Sequence, residues 1–259
     1  MLSYQHAYHA GNAADVHKHA ILAWALAYLT QKDKALSYLE THAGRGLYDL
    51  SDAAAVKTGE ARQGIDRLHA RFASDHPYTN VLAETRRVHG LAAYPGSPLI
   101  AATLLRRFDR IDLAELHPQE FDALTDVVPH SPNTRIHKRD GLEMAKAMTP
   151  PDPRRGLMLI DPSWEVRDDY DRLAKLVPAI HRKWGVGVVM LWYPILADRR
   201  HLPLTAALRD AVPAIMIHEV RFPPAKAGHG MEGSGMAVVN PPWGLDAEIA
   251  RLSAMFDGS

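Results

Sequence analysis

The chain has 259 residues, of which 47% are hydrophobic, 23% charged and 7% aromatic, a composition that excludes disordered, collagenous and coiled-coil chains. Thirty Lys and Arg balance thirty Asp and Glu, so no overall basic field announces a polyanionic partner, although a local patch would suffice. Cysteine is absent, which removes disulfide scaffolds, Cys-ligated zinc, iron–sulfur clusters and thiol nucleophiles together.

The opening MLSYQHAYHAGNAADVHKH is polar and His-rich, without the apolar core of a signal peptide. Together with the missing cysteine this predicts a soluble cytoplasmic protein. His6, His9, His17 and His19 are dense here. No HExxH or His-x-x-x-His spacing joins them and no carboxylate cluster accompanies them, so polar contacts are expected rather than a metal. Asn12 can cap a helix over 13–31, with Asp15 in its first turn where a negative charge suits the dipole. The stretch AILAWALAYL at 20–29 is shorter than the ~20 apolar residues a membrane span needs. It predicts a buried helix and no membrane partner.

Short apolar runs follow at 36–39, 111–116, 134–140, 156–161, 186–192, 214–220 and 235–240, most of them separated by helical patterns such as DRLAKLVPAIHRKW at 171–184. This alternation predicts an α/β fold with a mainly parallel sheet covered on both faces. Residues 47–110, between the first two runs, read as several helices (59–72, 80–91 and 98–108). One crossover helix would need far fewer residues. The expectation is therefore a helical subdomain, 47–110, inserted into a main domain made of 1–46 and 111–259. The last two runs are joined by RFPPAKAGHGMEGS, which has no helical pattern. A parallel crossover needs a helix-sized connection, so the terminal pair is expected to be an antiparallel hairpin.

In chain order, the ends of the strands carry the chemistry. Gly44 and Gly46 form a glycine turn in THAGRG after the first strand, where the backbone can pass close to a ligand. A third small residue is missing, because Asp49 stands in its place, so a cofactor without a pyrophosphate is favoured. Glu115 ends the second run and can take both ribose hydroxyls. Asp140 and Gly141 end the third, with the carboxylate able to accept from an adenine amino group and the glycine leaving room for the ring; a helix cap is the simpler reading of Asp140. The fourth run ends in Asp161-Pro162-Ser163-Trp164. Asp161 and the Pro162 carbonyl can accept the two hydrogens of an amine, and Trp164 can stack on a flat ring. A similar turn, NPPW at 240–243, follows the terminal hairpin and is expected to be structural.

Taken together, LSYxHxxHAGNxADVxKH, THAGxG, YPGSPLI (94–100), ELHP (115–118), the DG of 140–141, the Asp-Pro turn, LWYP (191–194) and SGMxVxNPPW resemble the bacterial 23S ribosomal RNA adenine-N6 methyltransferase family, RlmJ. The resemblance runs nearly the whole length of the chain. It implies a class I S-adenosylmethionine-dependent methyltransferase fold, Rossmann-like with an inserted helical subdomain, methylating a specific adenine of 23S ribosomal RNA and releasing S-adenosylhomocysteine. By resemblance, His19, His42, Ser97, Glu115, Asp140, Gly141 and Asp161 contact the cofactor, beside the Gly44 turn, and Asp161 is also catalytic. Tyr4 matches a position that meets the RNA; His6 and Lys18, in the same block, are expected to contact substrate or phosphate. The family's Asp-Pro-Pro-Tyr is Asp-Pro-Ser-Trp here, and family members usually continue past the position of Ser259. A monomer is expected. Methylation of DNA adenine, or cofactor and RNA binding with impaired catalysis, are the competing readings.

Overall fold

The computed structural model describes residues 5–166, 168–223 and 230–257; Tyr4 lies outside them. Helix α1 (Ala13–Thr30) comes first, with the Asn12 side chain accepting from the Asp15 amide as its cap. Strand β1 (Ser37–Glu40) follows, then strand β2 (Leu47–Asp49) and the short helices α2 (Ala53–Thr58), α3 (Glu60–Gln63) and α4 (Ile65–Leu68). Next come α5 (Pro77–His89), β3 (Ala93–Pro95), α6 (Ser97–Leu104), β4 (Arg110–Ala114), α7 (Pro118–Val127), β5 (Thr134–His137), α8 (Gly141–Met148) and β6 (Gly156–Ile160). The chain continues through α9 (Asp169–Lys183), β7 (Val188–Leu196), α10 (His201–Ala211), β8 (Met216–Arg221), β9 (Met231–Val239) and α11 (Leu245–Asp257).

Seven strands form one sheet in the order β5-β4-β1-β6-β7-β9-β8. The first five run parallel, with Tyr38 level with Ile111 on one side and Leu157 on the other. Strand β9 is antiparallel to both β7 and β8, as the lack of a helical pattern in the sequence between them predicts. Alternate residues of the buried strands feed opposite faces, as strand geometry requires. Tyr38, Leu157 and Leu159 join one core with α1, α5, α6 and α11, while Leu39, Met158 and Ile160 join a second with α9 and α10. Strand order reverses about β1, and in open α/β sheets such a switch point opens a crevice at the carboxyl ends of the strands.

The segment between β1 and β4 differs from an all-helical insert. It also contains an antiparallel pair, β2 with β3, which registers Tyr48 against Tyr94. The helix expected over 59–72 is broken at Gly64. A Cβ there would lie 2.1 Å from the Gly11 carbonyl oxygen, so only glycine lets this segment dock on the start of α1. Helices α5 and α6 pack on α1 as well.

Candidate functional site

A cleft of about 540 Å³ opens at the carboxyl ends of β1, β4, β5 and β6. Its walls include His6, Lys18, His19, His42, Gly44, Ser97, Glu115, Asp140, Gly141, Asp161, Pro162 and Trp164. Residues scattered from position 6 to 164 thus come together because α1, the glycine turn, the start of α6 and three strand ends converge on one edge of the sheet.

Glu115 follows β4 directly. One of its oxygens accepts from the Gly44 amide at 2.8 Å and the other from the His117 amide at 2.7 Å. The carboxylate therefore pins the glycine turn in place. Each oxygen keeps a further lone pair for a hydroxyl in the cleft. Gly44 has φ +62, and a Cβ on it would lie 2.7 Å from the Tyr48 hydroxyl, so the turn needs glycine for both backbone and space.

Asp140 caps α8, one oxygen accepting from the Leu142 and Glu143 amides at 2.8 and 3.0 Å. The other stands 3.5 Å from Arg172. Burial pushes this carboxyl up, but the Glu143 amide and the Arg172 charge outweigh it and hold it below its ordinary value. Asp140 is thus a helix cap that also lines the cleft. Gly141 has a packing reason beside the one expected. A Cβ there would lie 1.7 Å from the Thr41 carbonyl oxygen, so its bareness serves the contact between α8 and the end of β1.

Asp161 follows β6, its side chain 14% exposed. One oxygen accepts from the Lys18 ammonium at 2.6 Å, and Lys18 also meets Asp15 at 3.0 Å. The Lys18 ammonium stands 5.6 Å from the centre of the Trp192 ring, within cation–π range. Lys18 is 4% exposed. Burial opposes its charge, yet the two carboxylates outweigh burial and its pKa is raised. Lys18, expected to contact substrate or phosphate, lines the cleft with its charge already paired. Its ammonium is sealed between two carboxylates, and its position makes it the residue that orients Asp161.

His6 donates from Nε2 to Asp15 at 2.8 Å and sets its edge against Tyr48. Asp15 also takes the Gly11 amide. Burial pushes the Asp15 carboxyl up, but His6, Lys18 and His19 together hold it well below the carboxylate range. His19 is buried against Tyr94, and burial pushes it down to about 3. His42 bonds the Thr41 hydroxyl at 2.7 Å, and burial pushes it down to about 4. Both are neutral imidazoles at pH 7. His17 faces away from the cleft, bonded to Ser234 and His218.

Trp164 lines the cleft with a left-handed φ of 58. Its ring is 6% exposed and lies on Tyr170 at a centroid distance of 4.4 Å, so it does not stand free to stack. The half-buried Trp192, from the LWYP motif, is the other tryptophan of the wall. Sequence reasoning also passed over Glu40, the last residue of β1. It is fully buried, accepts from the Ser97 and Tyr38 hydroxyls, and burial pushes it up to about 8. Its one sequence signal is an acidic residue ending an apolar run.

NPPW lies at the other edge of the sheet. Strand β9 lies between β7 and β8 and runs antiparallel to β7, so its end carries this turn away from the cleft. Asn240, at φ 50, donates to the carbonyls of Gly185 and Gly187, just before β7, and Trp243 is 84% exposed.

A family model described as "Ribosomal RNA large subunit methyltransferase D, RlmJ" matches residues 33–257. The chain is 38% identical over 256 residues to "Ribosomal RNA large subunit methyltransferase J" of Escherichia coli K12, covering 97% of this chain and 91% of that protein. It is 37% identical to the protein of the same name from Haemophilus influenzae, covering 97% and 92%. The crystal structure of a Legionella pneumophila protein, 35% identical, superposes with a TM-score of 0.84 over 96% of this chain and 94% of that one.

Proposed function

The chain belongs to the RlmJ family of ribosomal RNA large subunit methyltransferases, and on that footing we propose that it methylates N6 of one adenine in 23S ribosomal RNA, using S-adenosylmethionine. The observation that carries this reading is Asp161, held by Lys18 at the mouth of a cleft whose other strand ends supply a pinned glycine turn and Glu115. The cleft fits the cofactor in size, since small-molecule sites are typically about 300–1,000 Å³, and in donor set. Glu115 takes the ribose hydroxyls, Asp140 faces the adenine amino group, and Ser97, His19 and His42 line the remainder.

When bound, S-adenosylmethionine supplies an electrophilic methyl group on a sulfonium. The protein's part is positioning, which can contribute roughly 7–11 kcal/mol. The Asp161 oxygen not engaged by Lys18 accepts one hydrogen of the target amine, and the Pro162 carbonyl accepts the other. Held this way, the nitrogen lone pair would leave conjugation with the ring and be free to attack a methyl group presented in the cleft, and the surplus proton of the methylated amine would pass to water. The adenine must be unstacked to reach the cleft. Stacking by Trp164 requires its ring to leave Tyr170. His6 and Tyr4 belong to the segment proposed to meet the RNA.

We take 47–110 as an inserted subdomain that completes the cleft wall through Tyr48 and Ser97. We take the protein to act as a monomer, and a ribosomal RNA substrate suits a cytoplasmic protein. Among the described residues no helix is long and apolar enough to cross a membrane. The test is transfer of labelled methyl to protein-free 23S ribosomal RNA against DNA. RNA should be labelled and DNA should not, and Asp161→Ala should lower the rate about a hundred- to a thousandfold at saturating cofactor. Labelling of DNA alone, or an active Asp161→Ala, refutes the reading.

A further inference from the structure

His19 points its ring into the cleft but is fixed from behind. Its Nδ1 lies 2.9 Å from the Tyr94 hydroxyl, and that hydroxyl lies 2.9 Å from the hydroxyl of Tyr78. Tyr78 comes from α5 and Tyr94 from β3, so both belong to the segment between β1 and β4. Both are fully buried. His19 lines the cleft, and its other ring nitrogen, Nε2, has an Asp15 oxygen 3.9 Å away, beyond hydrogen-bond reach, which leaves it for a cleft ligand.

Three groups share a line, and counting protons along it settles its direction. A neutral imidazole carries one proton, on one nitrogen or the other. Among the described residues the Tyr78 hydroxyl has a single hydrogen-bond partner, Tyr94. If Tyr94 donated to Tyr78, the Tyr78 proton would be left buried with no acceptor, which is the costly arrangement. So Tyr78 donates to Tyr94. Tyr94 has then accepted, and its own proton goes to the remaining neighbour, Nδ1 of His19. That nitrogen is an acceptor, and the imidazole proton is on Nε2.

We propose that the Tyr78–Tyr94 pair fixes His19 as an Nε2–H donor into the cleft, and thereby as the contact for an oxygen acceptor of the cofactor, its carboxylate. The proposal rests on the cofactor reading above. Glu115 already answers the ribose hydroxyls as an acceptor, so the carboxylate is the oxygen group that still needs a donor. Tyr78 and Tyr94 are positioning residues: neither touches the cofactor, and each acts through His19.

The test has two parts. Nitrogen NMR of histidine-labelled protein saturated with S-adenosylhomocysteine reads the tautomer, and the His19 signal is assigned by its loss in His19→Gln. The Nε2–H form is expected; the Nδ1–H form in wild type overturns the proposal. The second part compares S-adenosylhomocysteine with 5′-methylthioadenosine, which keeps the nucleoside and sulfur but lacks the amino-acid end. Tyr78→Phe frees Tyr94 to point either way, so the Nδ1–H form should appear. Affinity for S-adenosylhomocysteine should fall about two- to tenfold, the ordinary net worth of one hydrogen bond, while that for 5′-methylthioadenosine stays unchanged. Equal losses for both ligands, or no loss for either, overturn the proposal. Wild-type protein that binds neither ligand refutes the cofactor reading itself, and this proposal with it.

Discussion

Lys18→Met removes the charge that lies between Asp15 and Asp161 and keeps a chain of similar length. Both carboxylates are largely buried, with side-chain exposures of 2% and 14%. Removing one partner of a buried ion pair costs about 3–5 kcal/mol, because the remaining charge is left uncompensated. In a protein of this size each kcal/mol moves the melting temperature by about 2–4 °C, so a fall of roughly 6–20 °C is expected. The pH dependence follows from Asp15. Burial pushes its carboxyl up, but His6, Lys18 and His19 together depress it well below the usual range. A depressed carboxylate contributes stability above its unfolded pKa of about 3.9. That stability is lost as the pH falls through the folded value. Without Lys18 the depression shrinks, so the deficit of the variant is full at neutral pH and narrows as the pH drops below about 4. Urea denaturation of both proteins at a series of pH values measures it. A deficit under about 1 kcal/mol at pH 7, or one that widens in acid, refutes the reasoning.

Glu115→Gln keeps one acceptor but sets an amide NH2 against a backbone N–H, and should weaken S-adenosylmethionine binding about ten- to a hundredfold; unchanged affinity by calorimetry in a folded variant refutes the ribose assignment. Gly141→Ala drives a methyl group into the Thr41 carbonyl and should cost about 1–3 kcal/mol, so an unchanged melting temperature refutes the close-packing argument. Asn240→Ala loses two hydrogen bonds and places alanine at positive φ, which should cost about 1–3 kcal/mol while leaving the rate per folded molecule nearly intact. A folded but inactive Asn240→Ala would mean that the chemistry belongs to the other turn.

Local signals made much of the fold legible. Asn12 and Asp15 mark the start of α1 by capping chemistry, and the apolar runs at 111–116 and 156–161 cover all of β6 and all but the first residue of β4. The lack of a helical sequence pattern between the last two apolar runs foretells the antiparallel pairing of β8 and β9. What escaped depends on partners distant in sequence. Strands β2 and β3 are three residues each, too short for any periodicity. Gly64 breaks a helix only because Gly11 lies against it. At the site, residue types at strand ends pointed to the cleft, but the pairing of Lys18 with Asp161 spans 143 positions. Nothing local distinguishes a lysine sealed by two carboxylates from one reaching for phosphate. The burial of the Trp164 ring on Tyr170 is equally invisible, because it depends on a left-handed backbone at a residue that rarely adopts one.

Helix α1 is buried along most of its length and around most of its circumference. One side carries Asp15, Lys18 and His19 to the cleft, and another ties His17 to Ser234 and His218. An axle enclosed in this way has no inexpensive partial opening, unlike a surface helix that can fray by itself. The cleft floor and the molecule therefore melt as one cooperative unit. A ligand held in the cleft protects the far ends of the sheet as much as its own contacts, since binding to the native state raises the stability of everything that unfolds with it. Damage anywhere in the two cores, by the same linkage, reaches the cleft as a loss of folded molecules before it is felt as a change in its chemistry.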